Sequence, residues 1–221
     1  MTVMTGNSEP AAGRVPFQGM VGHTSANAWA AYAHYTHFLG RPCRVYALPD
    51  PHRPGLPRKT KLDVAVWTPL GKGSTALLAT AGVSDRAMSD GTFGELLLLV
   101  RPDPGEEETL FLARMLKRLA RVAFDTGVPL AAGRRVVVSG VPGPLSHVAA
   151  FLLAPPLTMD ASFHFIRHRS GRRVAVLWAI PLHGVEDAWC AVHGPGALYD
   201  AWAQHDVDLA RLDRPAVPLP D

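Results

Sequence analysis

Cysteine is almost absent: Cys43 and Cys190 are the two in 221 residues. They could pair, but two isolated thiols with no Cys-x-x-Cys spacing exclude a disulfide-built scaffold and fit a reduced, cytoplasmic protein better. Long apolar runs are missing as well. A membrane-crossing helix needs about 18 consecutive apolar residues, and the longest candidates here, residues 96–100 and 174–180, have the length of buried strands. Residues 1–16 lack a basic stretch followed by an apolar one, so no secretory signal is expected. No charge of either sign dominates, with 22 Lys plus Arg against 19 Asp plus Glu and a net charge of +3. The basic residues are dispersed apart from Arg167, Arg169, Arg172 and Arg173, and a hairpin lying in solvent explains that group at least as well as a nucleic-acid surface does. Neither nucleic acid nor a membrane is expected as a partner.

Metal-site spacings are lacking too. There is no HExxH pattern and no Cys/His grouping. His34 and His37 lie three apart on an expected helix, His164 and His168 four apart in an expected strand, and His183 and Glu186 three apart at a strand-to-helix boundary. Each spacing alone is a weak signal, and no metal or cofactor is expected.

What is present is the composition of an ordinary globular domain, 48% hydrophobic and 19% charged. Residues 1–20 read as a flexible leader and 214–221 as a Pro-rich tail, leaving one domain over 21–213. The Pro-rich stretch 48–57 reads as a surface loop. A first helix is expected from residue 24 or 25 to 39, with Trp29, Tyr32, Thr36 and Leu39 on one face and Gly40 and Pro42 ending it. A second follows Arg101, with Asp103 as cap, Pro104 at the first helical position and Glu106 three residues after the cap. Its stripe is Leu112, Met115, Leu116, Leu119 and Ala123. Its acids (Glu106, Glu107, Glu108) precede its bases (Lys117, Arg118, Arg121), which suits the helix dipole. Val185, Ala188, Trp189 and Val192 suggest a third helix, and Leu198 with Trp202 a short fourth.

Strands are expected at 62–67, half-buried and alternating, and at 75–81, 96–100, 135–139 and 174–180, with Gly71-Lys72-Gly73 as a turn after the first. Those at 96–100 and 174–180 are apolar on both faces and so central in a covered sheet. Strict strand–helix alternation is missing, which makes the fold class α+β: a single domain with a mixed sheet flanked by helices.

Two catalytic patterns can be dismissed or weakened. Gly71-Lys72-Gly73-Ser74-Thr75 is not a phosphate loop, because glycine follows the lysine, Val66 occupies the first glycine position and a strand comes next. Gly82-Val83-Ser84-Asp85 resembles a nucleophile elbow but has Arg86 where the second glycine belongs. A hydrolase using Ser84 or a histidine such as His147 is the alternative from a different class; a structural or scaffolding subunit is a third. Glu95 and Asp63 interrupt apolar strands. Such carboxylates are more often satisfied internally than offered to a partner.

Several segments, taken in order, resemble the Suppressor of fused-like family. They are Leu62-Asp63-Val64; residues 78–88, a strand ending in a glycine-apolar-Ser-Asp turn; Gly94-Glu95-Leu96-Leu97; and the helix around Leu119-Ala120. Leu145-Ser146-His147, with Leu152-Leu153-Ala154-Pro155-Pro156, continues the series. Residues 177–182 with Glu186, then Gly194, Leu198 and Asp213-Arg214, complete it. The resemblance implies one sandwich-like domain used for protein recognition. Short bacterial members are similar to immunity proteins, which bind and neutralise a toxin, and in the animal relative a partner peptide pairs with an exposed strand. Asp85, Arg86, Asp90, Thr92 and Glu95, followed by His147 and Glu186, are the residues expected to contact such a protein partner. Ser84 and Asp85 could equally just cap their turn.

Overall fold

The computed structural model describes residues 25–48, 62–68, 75–102, 104–138, 145–168 and 170–220. Among them are helices α1 (Ala26–Leu39), α2 (Glu106–Thr126) and α3 (Gly184–Gln204). The strands are β1 (Arg44–Leu48), β2 (Leu62–Trp67), β3 (Ala76–Ala81), β4 (Gly94–Val100), β5 (Arg135–Val137), β6 (Val148–Ala154), β7 (Phe165–Arg167) and β8 (Arg173–His183). All eight form one sheet in the order β1-β2-β3-β4-β8-β6-β5, with β7 also paired to β8. The β4–β8 pair is parallel and the others antiparallel. The expected α+β class and mixed sheet are therefore what the chain forms.

Two helices cover one face and one covers the other. On the first face Ala28, Ala31, Tyr32 and Tyr35 of α1, and Cys190, Leu198 and Trp202 of α3, pack with Ala65, Ala79, Leu97 and Ile180. On the second, Leu112, Leu116 and Leu119 of α2 pack with Val64, Leu78, Leu98 and Phe151. Each buried leucine contributes about 2 kcal/mol relative to an exposed one. Because both faces are covered, β2 is buried at every position and not half-buried as its alternation suggests. The polar residue that produces the alternation, Asp63, is itself buried.

Local differences have local causes. Ser25 caps α1 by accepting from the Ala28 N–H at 3.0 Å, and Gly40, at φ 76°, ends it. The buried face of α1 is Ala28-Ala31-Tyr32-Tyr35, so Trp29, 44% exposed, lies off it. Alanines on the helix against Ala65, Ala79 and Ala81 on the sheet allow close approach, a preference that hydrophobicity alone does not reveal. The stripe expected on α2 is buried as read. Its cap is Gly105, without a side-chain bond, and Pro104 precedes the cap; Asp103 lies outside the described residues. The third and fourth helical stretches are one element, α3, kinked at Gly194, where Pro195 begins the second half. The expected stripe of α3 faces outward at Val185, 60% exposed, and Val192, 78% exposed, while Glu186, Cys190, Leu198 and Trp202 face the core.

The Gly71-Lys72-Gly73 turn, the loop after Leu48 and the 1–20 leader lie outside the described residues. Strands β1 and β7 are short and partly exposed, so the periodicity that marks buried strands does not reveal them. The segment expected as a tail does not begin where the domain ends, for Arg214 is buried and Val217 sits in the core. Both cysteines are free thiols, Cys43 exposed and Cys190 buried.

Gly194 has φ 82° and ψ 168°, a conformation that only glycine adopts without strain, and no atom lies within 4 Å of where a Cβ would stand. Gly194→Ala should therefore lose about 1–3 kcal/mol through backbone strain alone. Gly196→Ala, two residues on with equally open surroundings and no positive φ, should be neutral or slightly stabilising. Urea denaturation of the two variants measures the contrast.

Candidate functional site

The buried carboxylate of Glu95, at the second position of β4, organises one end of the sheet. Its Oε1 accepts from the backbone N–H groups of Gly82 and Ser84 at 3.0 Å each and from the Ser84 hydroxyl at 2.6 Å. Its Oε2 accepts from the Thr80 hydroxyl at 2.6 Å and from the Val83 N–H at 3.3 Å. Three successive N–H groups can converge because Gly82, at φ 116°, reverses the chain as β3 ends and Val83–Asp85 forms one 3₁₀ turn. The result is an anion cradle filled from within the chain. Burial pushes the Glu95 carboxyl above its ordinary value, against the bonds from Ser84, Thr80 and Gly82 that favour the charged form.

The outer side of this turn is tied to α1. Asp85 accepts from the Ser25 hydroxyl, and Asn27 Nδ2 donates to the Ser84 carbonyl at 2.8 Å. Asp85 is half-buried, and burial raises its pKa against the bonds from Ser25 and Asn27. Arg86 is exposed, its guanidinium 5.2 Å from the centre of the Phe124 ring. Further on, Asp90 accepts from the Thr92 N–H at 2.9 Å and from its hydroxyl at 2.6 Å, which holds the exposed Asp90 carboxyl below the usual range. Met88 N–H to the Thr92 carbonyl closes the loop, and the Ser89 hydroxyl ties it to Gly127 at the end of α2. Asp85, Arg86, Asp90 and Thr92 thus share one well-anchored loop. Glu95 lies beneath it with no exposed surface, so a direct contact between Glu95 and a partner is corrected here to a supporting role.

His147 and Glu186 belong to the other end of the sheet. Glu95 pairs with Val176 on β8, and His183 lies seven residues further along that strand, about 23 Å away at roughly 3.3 Å per residue. There the exposed His147 ring stacks on His183 with centroids 4.7 Å apart. Glu186, fully buried, accepts from Arg214 Nη1 at 2.6 Å and Nη2 at 2.8 Å, from Trp202 Nε1 at 3.2 Å and from the backbone N–H groups of His183 and Val217. Burial alone would raise this carboxyl. The hydrogen bonds and charge of Arg214, with those backbone donors, outweigh it and hold the group below its ordinary value. Glu186, like Glu95, is a supporting group and offers nothing to a partner. Sequence reasoning placed Arg214 in a tail and did not connect it to Glu186, although Asp213-Arg214 is among the motifs of the family resemblance.

The elbow reading meets a geometric obstacle. The Ser84 hydroxyl is buried and donates to Glu95, and His147 sits at the opposite end of the sheet. Among the histidines, His34 bonds the Phe163 carbonyl at 2.9 Å and His37 packs edge-on against Phe38. No group of three metal-ligating side chains occurs among the described residues, and none of the described helices is long and apolar enough to cross a membrane.

A mixed sheet enclosed by the three described helices is a fold shared with solved Suppressor of fused proteins. The sequence matches the family described as Suppressor of fused protein (SUFU) over residues 58–215, and the chain belongs to that family. A SUFU homologue from Neisseria gonorrhoeae is 14% identical and superposes with a TM-score of 0.67 over 88% of this chain and 98% of its own. A chain of the Sufu–Fu complex is 13% identical, with a TM-score of 0.62 over 86% of this chain and 91% of its own. Drosophila Suppressor of Fused is 13% identical, with a TM-score of 0.59, and the match covers 86% of this chain and half of that one. No curated protein sequence matches.

The two glutamates should give opposite pH signatures. The depressed pKa of Glu186 means its contribution is present above about pH 4.3 and is lost as pH falls through the folded value. The raised pKa of Glu95 means its linked contribution is present below about pH 4.3 and is lost as pH rises. The stability difference between wild type and Glu186→Gln should therefore grow from pH 3 to 6. That between wild type and Glu95→Gln should shrink over the same range. Glu186→Gln, which leaves Arg214 buried without its counter-charge, should cost about 3 kcal/mol at pH 7. Urea titrations at each pH supply all three comparisons.

Proposed function

We propose that this chain acts by gripping another protein, as an immunity-type domain in the cytoplasm that neutralises a toxin partner. The observation that carries the reading is the loop at residues 86–92. Its exposed Arg86, Asp90 and Thr92 are fixed in place by the Asp90–Thr92 turn, by Ser89 on Gly127 and by the Glu95 cradle beneath. A recognition surface that is ordered before binding loses little entropy on association. Family membership supports the same reading, since one of the similar structures is a complex of Sufu with Fu. The separation of Ser84 from His147 weighs against a hydrolase built on that pair.

Tagged wild-type protein, captured from its native cells and analysed by mass spectrometry, should retain a protein that carries a toxic domain. Arg86→Glu, which changes an exposed side chain and leaves the Asp90–Thr92 turn intact, should retain at least tenfold less. Equal retention by the variant would remove the loop from the interface. No such partner from cells shown to express the toxin would count against neutralisation itself.

A further inference from the structure

A cavity of about 520 Å³ lies at the end of β4 away from the 86–92 loop. Its floor is a row of side chains on the face of the sheet shared with α1 and α3. Trp67 of β2 stands opposite Leu77 of β3, and Leu77 opposite Leu99 of β4, so the three line one face across three strands. Trp178 of β8 extends the row, because it pairs with Leu97, two residues before Leu99 and on the same face. All four are buried members of one apolar cluster.

The helices do not roof this end of the sheet. Gly40, at φ 76°, stops α1, and its carbonyl accepts from Trp67 Nε1 at 2.9 Å, which fixes that indole as a wall. Helix α3 ends at Gln204. The remaining walls are two loops, 157–159 and 207–210, which bring Leu157, Met159, Val207 and Leu209 to the cavity. A concave space of this size, mostly apolar and with a few placed polar groups, has the character of a small-molecule site.

Charge identifies the head of the occupant. Among the described residues, the charged side chains that line the cavity are Arg41, Arg101 and Asp208. Arg101 donates from Nε and Nη2 to the Thr75 hydroxyl at 3.0 and 2.8 Å, and from Nη1 to Asp208 at 3.1 Å. The second Asp208 oxygen accepts from the Ala210 N–H at 3.1 Å. Arg101 and Asp208 thus compensate each other and tie the 207–210 loop to the start of β3. Arg41 is exposed and makes no hydrogen bond or ion pair among the described residues. One cation is left over beside an apolar floor. A sugar or a nucleotide would press polar groups against indoles and leucines, where they find no partners; a hydrocarbon chain ending in one negative charge matches both parts.

We infer that this cavity binds a medium-chain fatty acid. The hydrocarbon chain lies over Trp67, Leu77, Leu99 and Trp178, and the carboxylate faces Arg41. The 86–92 loop takes no part, so this binding is independent of the protein-binding reading above and is tested apart from it.

The probe is decanoate, titrated calorimetrically into the full chain, with octanoate and decanol as comparisons. Each buried methylene adds about fourfold in affinity, so decanoate should bind at least tenfold more tightly than octanoate. Decanol should bind at least fivefold more weakly than decanoate. Arg41→Ala should lower the decanoate affinity to that of decanol and leave decanol unchanged. Location is read separately, since bromine quenches indole fluorescence on contact. ω-Bromodecanoate should quench wild type, and should quench Trp178→Phe by a clearly smaller fraction. That substitution removes no hydrogen bond, because the Trp178 indole N–H has no partner in the structure. Leu209→Trp, which fills the cavity, should weaken decanoate and decanol alike at least tenfold. Unchanged thermal unfolding shows that each variant is folded; should Leu209→Trp unfold, Trp178→Phe decides the location. No decanoate binding by wild type, equal affinity for octanoate and decanoate, or an unaltered affinity in Arg41→Ala overturns the proposal. So does an equal quench of wild type and Trp178→Phe, which would place the acid elsewhere. A dimer in sedimentation that Leu157→Ser dissociates would assign the cavity to a second copy and overturn it as well.

Discussion

Burying a carboxylate is costly unless donors surround it, and the end of this sheet is arranged around meeting that requirement for Glu95. Hydroxyls of Thr80 and Ser84 and three consecutive backbone N–H groups converge on two oxygens. The backbone donors can do so only with Gly82 in its positive-φ conformation and the chain held in a single 3₁₀ turn. Because that turn also bonds Ser25 and Asn27, the same carboxylate fixes where α1 begins relative to β4. The exposed loop that follows is positioned by this internal network together with its own Asp90–Thr92 and Ser89–Gly127 bonds.

The far end of the sheet solves the same problem with a different donor set. Glu186 faces the guanidinium of Arg214, and its pKa falls; at Glu95 burial outweighs the bonds from Ser84, Thr80 and Gly82, and its pKa rises. The Arg214 pairing also has a topological consequence. It draws the chain after α3 back across the end of β8, where Nη2 donates to the Pro181 carbonyl and Val217 enters the core. Two buried glutamates at opposite ends of one sheet thus find their hydrogen-bond donors within the chain.

The periphery is where groups remain available. Among the described residues, strands β1, β5 and β7 each pair on one side only, and natural proteins cover or charge such edges to prevent indiscriminate pairing. The hairpin carrying β7 is strongly basic, with Arg167 and Arg173 paired across it and Arg172 beside them.

The sequence by itself determined the class of fold, the central strands β4 and β8, the length and buried stripe of α2, and the family, because apolar periodicity and the order of short motifs are local or nearly local signals. It also marked Glu95 and Asp63 as carboxylates set in apolar strands that must find partners, and Glu186 through its spacing from His183 and the family resemblance. It could not tell whether those partners lay inside the molecule or outside it. That depended on Gly82, Ser84 and Thr80 being brought round to Glu95, and on Arg214, 28 residues beyond Glu186, returning to meet it. Nor could it distinguish the buried alanine face of α1 from the exposed side bearing Trp29. Hydrophobicity ranks residues one at a time, whereas burial and hydrogen bonding are decided by which surfaces the tertiary fold presses together.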